Sequence, residues 1–357
     1  MAEAPPAGVA LIGPLDLPVG GVSSHLRRLV DHLRSSGVEC TVIDPYAAAG
    51  KRPRPEHEVT PLRPSPAAMI WAAWRARRSS HPTVHLHFSR VAGWFVVVAF
   101  LLSSSRKRLA ASLHHGDQQA AYDRAGSMAR LLSRMALRRM DVVVALSDEQ
   151  EAFYRGVGVA GGRIVRWRTA PGQAVAADPS QAPAGLLDQL AGARTRGECI
   201  MVSSGYPKPS YRYELCIDLL QAALERAPAQ LLLCIYGGGS DEAYMASLRR
   251  RAEGLPVTFV GAMPPAGFLA VLQHADLYLR PSLVDSYGLA VSDALDAGAA
   301  ALASDICERD PRAVLFPAND PAAFEAEGLR LLQAPRPGPR AARPADQRIV
   351  ATYAPAS

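Results

Sequence analysis

Two acidic residues at a fixed spacing, Asp285 and Asp293, are the residues in this chain best suited to chemistry. Asp285 follows a short apolar strand predicted at 275–279, close to where a helix of small residues begins. The backbone amides at such a helix start favour phosphate, whereas a carboxylate beside phosphate is expected to accept hydrogen bonds from hydroxyl groups. Phosphate and hydroxyl groups together are typical of a nucleotide sugar. The structural alternative makes Asp285 a helix cap and Asp293 an exposed helical residue.

The amides expected at the phosphate are those of Ser286, Tyr287, Gly288 and Leu289. The stretch 280–298 resembles the donor-site signature of family-4 glycosyltransferases, which have the GT-B fold. The residues that keep the family frame are Pro281, Ser282, Gly288, Leu289, Ala294 and Gly298. Both acids of the signature are Asp here, where the family has Glu. The resemblance implies that Asp285 contacts the transferred sugar and that Asp293 contacts the ribose.

Two glycine loops fit the same resemblance. Gly20 and Gly21 follow the first predicted strand, where the family's glycine loop faces the donor phosphates. Gly237, Gly238 and Gly239 follow a strand in the second half, where the family has a glycine turn beside the nucleotide. The residues alone leave a tight turn and a flexible loop as alternatives.

His114 follows the strand predicted at 109–113, at the carboxyl end where open α/β sheets bind ligands. It aligns with the His of a family His-Gly motif that lies near the transferred sugar and the acceptor, while His115 stands where Gly is usual. The alternative is a strand-end His that bonds a loop carbonyl. His85 and His87 have metal-ligand spacing on one face of a strand, but the sequence shows no third ligand for them.

The basic residues expected at the donor diphosphate are displaced in this chain. The family places an Arg and a Lys at positions that align here with Tyr206 and Tyr211. Lys208 and Arg212 lie nearby and are expected to substitute for them. This displacement and the Asp-for-Glu changes keep a non-catalytic nucleotide-sugar-binding partner as an alternative. A nucleotide-sugar epimerase or hydrolase on the same scaffold is a second alternative.

Length and patterning predict two domains. The chain has 357 residues, 49% of them hydrophobic, which is enough for two cores of ordinary size. Predicted strands and helices alternate, as in parallel α/β sheets. The fold class expected is α/β, with two Rossmann-like domains facing across a cleft, as in GT-B. The expected order is an acceptor-binding domain at 1–173, a linker with a short helix at best at 174–196, a nucleotide-sugar-binding domain at 197–332 and a Pro/Arg-rich tail at 333–357. Within that tail, residues 333–343 are expected to be mobile.

The net charge of +6 is unevenly distributed along the chain. Residues 1–175 carry 23 Lys and Arg against 13 Asp and Glu, and the remainder carries 16 against 20. This distribution argues against a general nucleic-acid binder and fits an anionic acceptor or an anionic membrane surface. The basic groups concerned are Arg106, Lys107, Arg108 and, at intervals of four on a helix predicted at 124–140, Arg130, Arg134 and Arg138. A solvated basic face, or the Arg-rich composition of a high-GC genome, is the alternative.

The five cysteines form no Cys-x-x-Cys pair and are expected to be reduced, as in a cytosolic protein. Residues 1–8 lack the basic region of a signal peptide, and the longest apolar run, 91–102, is too short to span a bilayer. We therefore expect a cytoplasmic protein. The basic groups named above add the expectation of peripheral binding to the inner face of the plasma membrane.

The resemblance implies a retaining hexosyl- or related glycosyltransferase. Its donor would be a nucleotide sugar, and its acceptor a hydroxyl group of a glycan, polysaccharide or lipid-linked precursor. The resemblance further implies no cofactor and no essential metal ion, and the charge distribution predicts no nucleic-acid partner.

Overall fold

The computed structural model describes residues 8–15, 21–46, 64–167, 176–236, 241–339 and 347–353. The chain divides into two compact units, with the boundary between Gln173 and Ala174. The first unit also takes in residues 343–357, and the second unit extends to residue 342. Within the described ranges, no helix is long and apolar enough to cross a membrane.

The first unit is built on a parallel six-stranded sheet in the order β2-β1-β3-β4-β5-β6. Its strands are β1 Val9–Ile12, β2 Cys40–Ile43, β3 Thr83–Phe88, β4 Arg108–Leu113, β5 Val142–Ala145 and β6 Ile164–Arg166. Its first six helices are α1 Gly21–Ser35, α2 Pro66–Arg78, α3 Trp94–Leu102, α4 Gln118–Asp123, α5 Ser127–Arg138 and α6 Asp148–Gly156, with a short 3₁₀ turn at Gly161–Arg163.

The central strands of this sheet are apolar because helices cover both of their faces. β1 and β5 are buried along their whole length, as expected for a parallel sheet. One apolar cluster joins the sheet to α2, α3, α5 and α6, and another joins the opposite face to α1. Ser65 and Ser147 begin α2 and α6, where their hydroxyl oxygens accept backbone amide hydrogens of the first turn.

The second unit has a parallel six-stranded sheet in the order β12-β11-β10-β7-β8-β9. Its strands are β7 Cys199–Gly205, β8 Ala229–Ile235, β9 Val257–Val260, β10 Leu277–Arg280, β11 Ala300–Ser304 and β12 Val314–Phe316. Its helices are α7 Leu186–Thr195, α8 Tyr213–Leu224, α9 Glu242–Arg251, α10 Pro265–Leu272, α11 Leu289–Asp296 and α12 Pro321–Gln333, with 3₁₀ turns at Pro179–Gln181 and Pro209–Tyr211.

β10 lies inside this sheet, between β11 and β7. The loop that leaves its carboxyl end therefore lies next to the loops that leave β7 and β11. This arrangement brings residues from three distant parts of the sequence to the beginning of α11.

The structure corrects the expected linker. Residues 186–195 form the regular helix α7, and its buried residues Leu186, Leu190 and Ala193 belong to a core cluster of the second unit. The helix expected at 124–140 also differs, because α4 ends at Asp123 and α5 begins after Gly126.

The C-terminal tail contains an ordered segment at 347–353, beyond the residues 333–343 that are expected to be mobile. A last helix, α13 at Gln347–Ala351, packs on the first unit, and Ile349 and Tyr353 are fully buried there. The indole nitrogen of Trp167 donates to the Thr352 hydroxyl at 3.0 Å, and Arg108 donates to the Thr352 carbonyl at 2.7 Å. Burial of these side chains together with their hydrogen bonds offsets the entropy cost of ordering the segment.

Candidate functional site

Asp285 lies in the loop that leaves β10, held by two arginines. Its Oδ2 is 2.7 Å from the Arg280 Nε and 2.7 Å from the Arg309 Nη1. Burial alone would raise the pKa of Asp285, but the charges and hydrogen bonds of Arg280 and Arg309 hold it well below its usual range. Asp285 is therefore ionised at neutral pH. It is not the cap of α11, which begins after Gly288.

Arg309, which has no assigned role in the sequence, holds the loop after β10 in place through hydrogen bonds. Its guanidinium donates to the Asp285 carboxylate, to the carbonyl oxygens of Tyr287 and Ser304, and to the hydroxyls of Ser282 and Ser304. Its side chain is 1% exposed. Nothing local signals this role, since Arg309 follows β11 and lies 24 residues beyond Asp285.

Gly288 must be glycine for two reasons. Its φ is +78°, in the left-handed region, and a Cβ there would lie 2.5 Å from the Arg309 Nη1. The glycine of the donor-site signature thus lets the loop close around Arg309 just before α11.

Arg280 brings a positive charge to one of the positions where the family's basic residue is missing. Its Cζ lies 4.8 Å from the centre of the Tyr211 ring, and its Nη1 donates to the Ser204 carbonyl at 2.7 Å. Tyr211 occupies the aligned position of a family basic residue. The sequence offers one usable signal for this role of Arg280, which is its place at the end of β10.

The two expected substitutes, Lys208 and Arg212, differ in their surroundings. Lys208 is exposed, with its Nζ 5.7 Å from the centre of the Tyr206 ring. Arg212 directs a guanidinium nitrogen at the carbonyl oxygen of Ala318. The Arg212 charge is therefore engaged within the second unit, whereas Lys208 remains accessible to solvent.

The expected row of amides is only partly available. The Ser286 amide donates to the Asp285 Oδ1 at 3.0 Å, so that donor is already occupied. Leu289 is the first residue of α11. Asp293 is 6% exposed on the same helix, so the structural alternative of a solvated Asp293 is wrong.

Asp296, on the same helix, pairs with Arg312, whose Nη2 lies 2.6 Å from the Asp296 Oδ1. The two helical carboxylates therefore have different surroundings although only three residues separate them.

Four of the predicted glycines, Gly20, Gly237, Gly238 and Gly239, lie outside the described residues. Gly21 begins α1, and a Cβ there would meet nothing within 4 Å.

His114 lies in the first unit, directly after β4, and its ring contacts other histidines. Its Nε2 is 3.1 Å from the His87 Nδ1, and its ring centroid is 4.6 Å from that of His25. Burial lowers the pKa of His114 well below its ordinary value, so the ring is neutral at pH 7. The sequence analysis found no third ligand beside His85 and His87. The structure brings His25, His87 and His114 within 4.8 Å of one another by one ligand atom each.

The predicted basic cluster of the first unit is divided between two roles. Lys107 donates to the carbonyl oxygens of Ser79 and His81, and Arg108 donates to the carbonyl oxygen of Thr352. These two side chains therefore stabilise the fold of the first unit. Arg106 is exposed, as are Arg134 and Arg138 on α5.

The comparisons with known proteins agree with the signature at 280–298. Glycosyltransferase Family 4 matches residues 19–170, and Glycosyl transferases group 1 matches residues 198–334. The chain belongs to the family-4 glycosyltransferases. It is 27% identical over 312 residues to a phosphatidyl-myo-inositol mannosyltransferase of Mycobacterium leprae, covering 84% of this chain and 78% of that protein.

Solved structures show the same fold for this glycosyltransferase. The Anabaena protein HepE, in complex with UDP and glucose, matches with a TM-score of 0.63 at 13% identity, over 91% of this chain and 90% of that one. Sucrose-phosphate synthase of Thermosynechococcus elongatus matches with a TM-score of 0.61 at 18% identity, over 92% of this chain and 94% of that one. The predicted family and the predicted pair of Rossmann-like domains are confirmed.

Proposed function

We propose that this family-4 glycosyltransferase moves a sugar from a nucleotide-sugar donor to a hydroxyl group of a glycan, polysaccharide or lipid-linked acceptor. The proposal includes retention of the anomeric configuration and turnover without a cofactor or an essential metal ion. The observation that carries it is the loop at 280–288, where an ionised Asp285, two arginines and the left-handed Gly288 lie just before α11 and Asp293.

The second unit supplies the donor site in this proposal. When the bond from the anomeric carbon to the diphosphate oxygen breaks, negative charge develops on that oxygen. Positive groups placed beforehand beside it stabilise the transition state. Arg280, near Tyr211, and the exposed Lys208 are the groups we assign to this role.

The carboxylates have separate roles. Asp293 accepts hydrogen bonds from the ribose hydroxyls, and Asp285 contacts the transferred sugar. Both arginines engage the Asp285 Oδ2, and one backbone amide engages Oδ1, so Oδ1 keeps accepting capacity for a hydroxyl. In the first unit, His114 orients the sugar or the acceptor as a neutral imidazole.

Arg280 also bears on the alternative of a non-catalytic binding protein. That alternative was motivated partly by the missing basic positions. A guanidinium beside Tyr211 restores charge at one of them, which favours the enzyme.

The surface of the first unit favours a lipid-linked acceptor at an anionic membrane. Helix α3 packs against both α2 and α5. Large apolar side chains are exposed on these three helices, namely Ile70, Trp71, Trp74, Val97, Leu101, Met128, Leu131, Leu132 and Met135. Exposed arginines occur on α2 and α5 as well, including Arg75, Arg77, Arg134 and Arg138. Apolar groups with adjacent positive charge are typical of interfacial membrane binding. The mannosyltransferase relatives, whose name specifies phosphatidyl-myo-inositol, support the same acceptor class.

The proposal is tested by product analysis. The full chain is incubated in excess EDTA with a panel of UDP-, GDP-, ADP- and TDP-sugars, with and without lipid or glycan acceptors. We expect one donor to give a glycosylated product only when acceptor is present, with the donor's anomeric configuration in the product's NMR spectrum.

Release of free sugar without acceptor transfer would favour the hydrolase, and conversion of the donor into another nucleotide sugar would favour the epimerase. Activity that disappears in EDTA and returns with magnesium would refute metal independence. Donor binding without turnover across the panel would favour the non-catalytic alternative.

A further inference from the structure

Three imidazoles from separate elements meet in the first unit: His25 from α1, His87 from the end of β3 and His114 from just beyond β4. One ring nitrogen of each lies within 4.8 Å of the corresponding nitrogens of the other two. A tetrahedral ion about 2.0–2.1 Å from each imidazole nitrogen separates its ligand atoms by about 3.3–3.4 Å. The His87 and His114 nitrogens that face each other, 3.1 Å apart, already approach that separation.

Two of these rings hold nitrogen atoms that are buried without a partner. Within the described residues, no hydrogen bond reaches the Nε2 of His25 or the Nε2 of His87. The two residues are 2% and 1% exposed. Buried polar groups in native proteins nearly always have a partner, so the unpaired Nε2 of His25 indicates a ligand in this cluster. The nitrogen of His87 that faces His114 is the Nδ1, and the Nε2 of the same ring is left without a partner.

The neighbouring His85 shows what a purely structural histidine looks like in this core. Its Nδ1 is 2.6 Å from the Tyr353 hydroxyl, and its Nε2 is 2.9 Å from the Ser112 hydroxyl. Both of its nitrogens are occupied, although its ring centroid lies only 4.1 Å from that of His87. The unpaired nitrogens are therefore a property of the three-histidine cluster and not of every histidine in this core.

The protonation state suits a metal ion. Burial lowers the pKa of His25 to about 4 and lowers those of His87 and His114 well below 6.5. The neutral imidazole is the form that coordinates metals, so binding at pH 7 needs no deprotonation of these rings. Imidazole nitrogen suits zinc, copper and nickel rather than magnesium or calcium.

We propose that His25, His87 and His114 form a three-histidine site for a transition-metal dication such as Zn²⁺, with the fourth coordination position left to solvent. The site goes beyond the proposed transfer, which uses no metal ion. His114 belongs to both, and coordination would remove its ring from the sugar. Bound Zn²⁺ therefore inhibits transfer, whereas a chelator leaves it intact.

The test uses the chelator-treated full chain and zinc chloride, with no sugar substrate present. Calorimetric titration should show one ion per chain, and the melting temperature should rise because the ion binds the native state. NMR of the histidine rings in the unaltered protein should show the resonances of His25, His87 and His114 shifting with one equivalent of Zn²⁺. The His85 resonances should keep the pattern of a hydrogen-bonded neutral ring.

Substitutions give the second arm of the test. His25→Gln and His87→Gln should each weaken Zn²⁺ binding by more than about 100-fold, the upper end of the loss for outer-sphere partners alone. His85→Gln, a change of the same type at a buried neighbour, should bind Zn²⁺ within about tenfold of the unaltered protein.

Shifts confined to other histidines, or unchanged affinity in both ligand variants, would overturn the site. Since ring NMR needs no substitution, a variant that fails to fold does not remove the test. Because binding is measured without donor or acceptor, failure of the metal site and failure of the proposed transfer are separate outcomes.

Discussion

Asp285 illustrates why a residue's role cannot be measured by deleting it. Arg309, which is buried, and Arg280, which is 11% exposed, both depend on its carboxylate, and removing one member of a buried ion pair typically destabilises a protein by about 3–5 kcal/mol. An inactive Asp285→Ala variant would therefore report on the loop as much as on the sugar. Residues whose neighbours survive their substitution test the donor site more directly.

We predict that Asp293→Asn weakens donor binding by about tenfold or more. A hydrogen bond to a charged group contributes about 1.5–3 kcal/mol, and the amide removes the charge while keeping the shape. The control is Asp296→Asn on the same helix, which breaks the pair with Arg312 but leaves Arg312 its bond to Asp310. Titration calorimetry with the best donor compares them, and equal affinities in the two folded variants would remove the ribose role.

Arg280 gives a second prediction at this scale. Arg280→Gln should weaken binding of the donor's nucleoside diphosphate by about tenfold or more, since one charge-assisted contact to phosphate is lost. Binding of the corresponding nucleoside, which has no phosphate, should change little. Arg280→Lys keeps the charge and should recover part of the affinity. If nucleoside and diphosphate lose affinity equally in Arg280→Gln, the residue serves the loop and not the phosphate.

Helix α5 carries exposed methionines and leucines as well as its arginines. We predict that Arg134→Gln with Arg138→Gln weakens binding to anionic vesicles by about 1 kcal/mol per charge removed. The matched control is Arg226→Gln with Arg250→Gln, two exposed arginines of the second unit. Vesicle sedimentation at low and high salt measures the effect. Equal loss in both double variants, or partitioning that salt does not change, would contradict a docking role for α5.

The segment that includes α13 gives a prediction about stability. Tyr353→Phe removes the hydroxyl that meets the His85 Nδ1 at 2.6 Å and leaves that nitrogen buried without a partner. We expect a loss of about 1–3 kcal/mol in the free energy of unfolding of the first unit. Tyr122→Phe, a partly buried ring of the same unit, is the control. Urea unfolding curves that coincide for the two variants would show that the hydrogen bond between Tyr353 and His85 adds little stability.

Most strands and helices could be predicted from the sequence, whereas the tertiary contacts between them could not. The strand predicted at 109–113 is observed as β4 at Arg108–Leu113, because a short apolar run with turns on both sides is a local signal. The stretch that contains α7 was interpreted as a connection with a short helix at best, because it is rich in Ala, Pro and Gln. The helix is stabilised by tertiary packing on β7 and α10, which the local sequence does not show.

The same limit applies to the candidate site. Gly288 and the two acids were found from spacing, since they lie within nine residues. Arg309 was missed because β11 comes to lie beside β10 only once the second sheet has formed. The convergence of His25 with His114 was missed because α1 and β4 come together only in the folded first unit.

At the scale of the whole molecule, buried histidines make the first unit sensitive to acid. Burial lowers the pKa of His25 to about 4 and that of His85 to about 3, from 6.5. Between about pH 6.5 and 4 the unfolded chain binds protons that the folded unit excludes, so stability present above pH 6.5 is lost as pH falls. Each such histidine contributes about 1.4 kcal/mol per pH unit in that window.

The four tryptophans, Trp71, Trp74, Trp94 and Trp167, all lie in the first unit, so their fluorescence reports on it alone. We predict that the urea midpoint followed by tryptophan emission falls steeply between pH 6.5 and 4.5. His87→Gln should flatten this dependence, and His274→Gln, on the second unit, should not. A midpoint that is flat across the window would show that the histidines are protonated in the folded unit.

The return of residues 347–353 to the first unit has a consequence for synthesis on the ribosome. The Trp167 indole and its partner Thr352 are 185 residues apart in the sequence. At about 5–20 residues per second, the ribosome needs roughly 10–40 s to make the intervening chain. The first unit therefore emerges early but waits, with its core incomplete, while the second unit is made. During that interval the nascent first unit lacks the contacts of residues 347–353, which makes it a natural client for a chaperone.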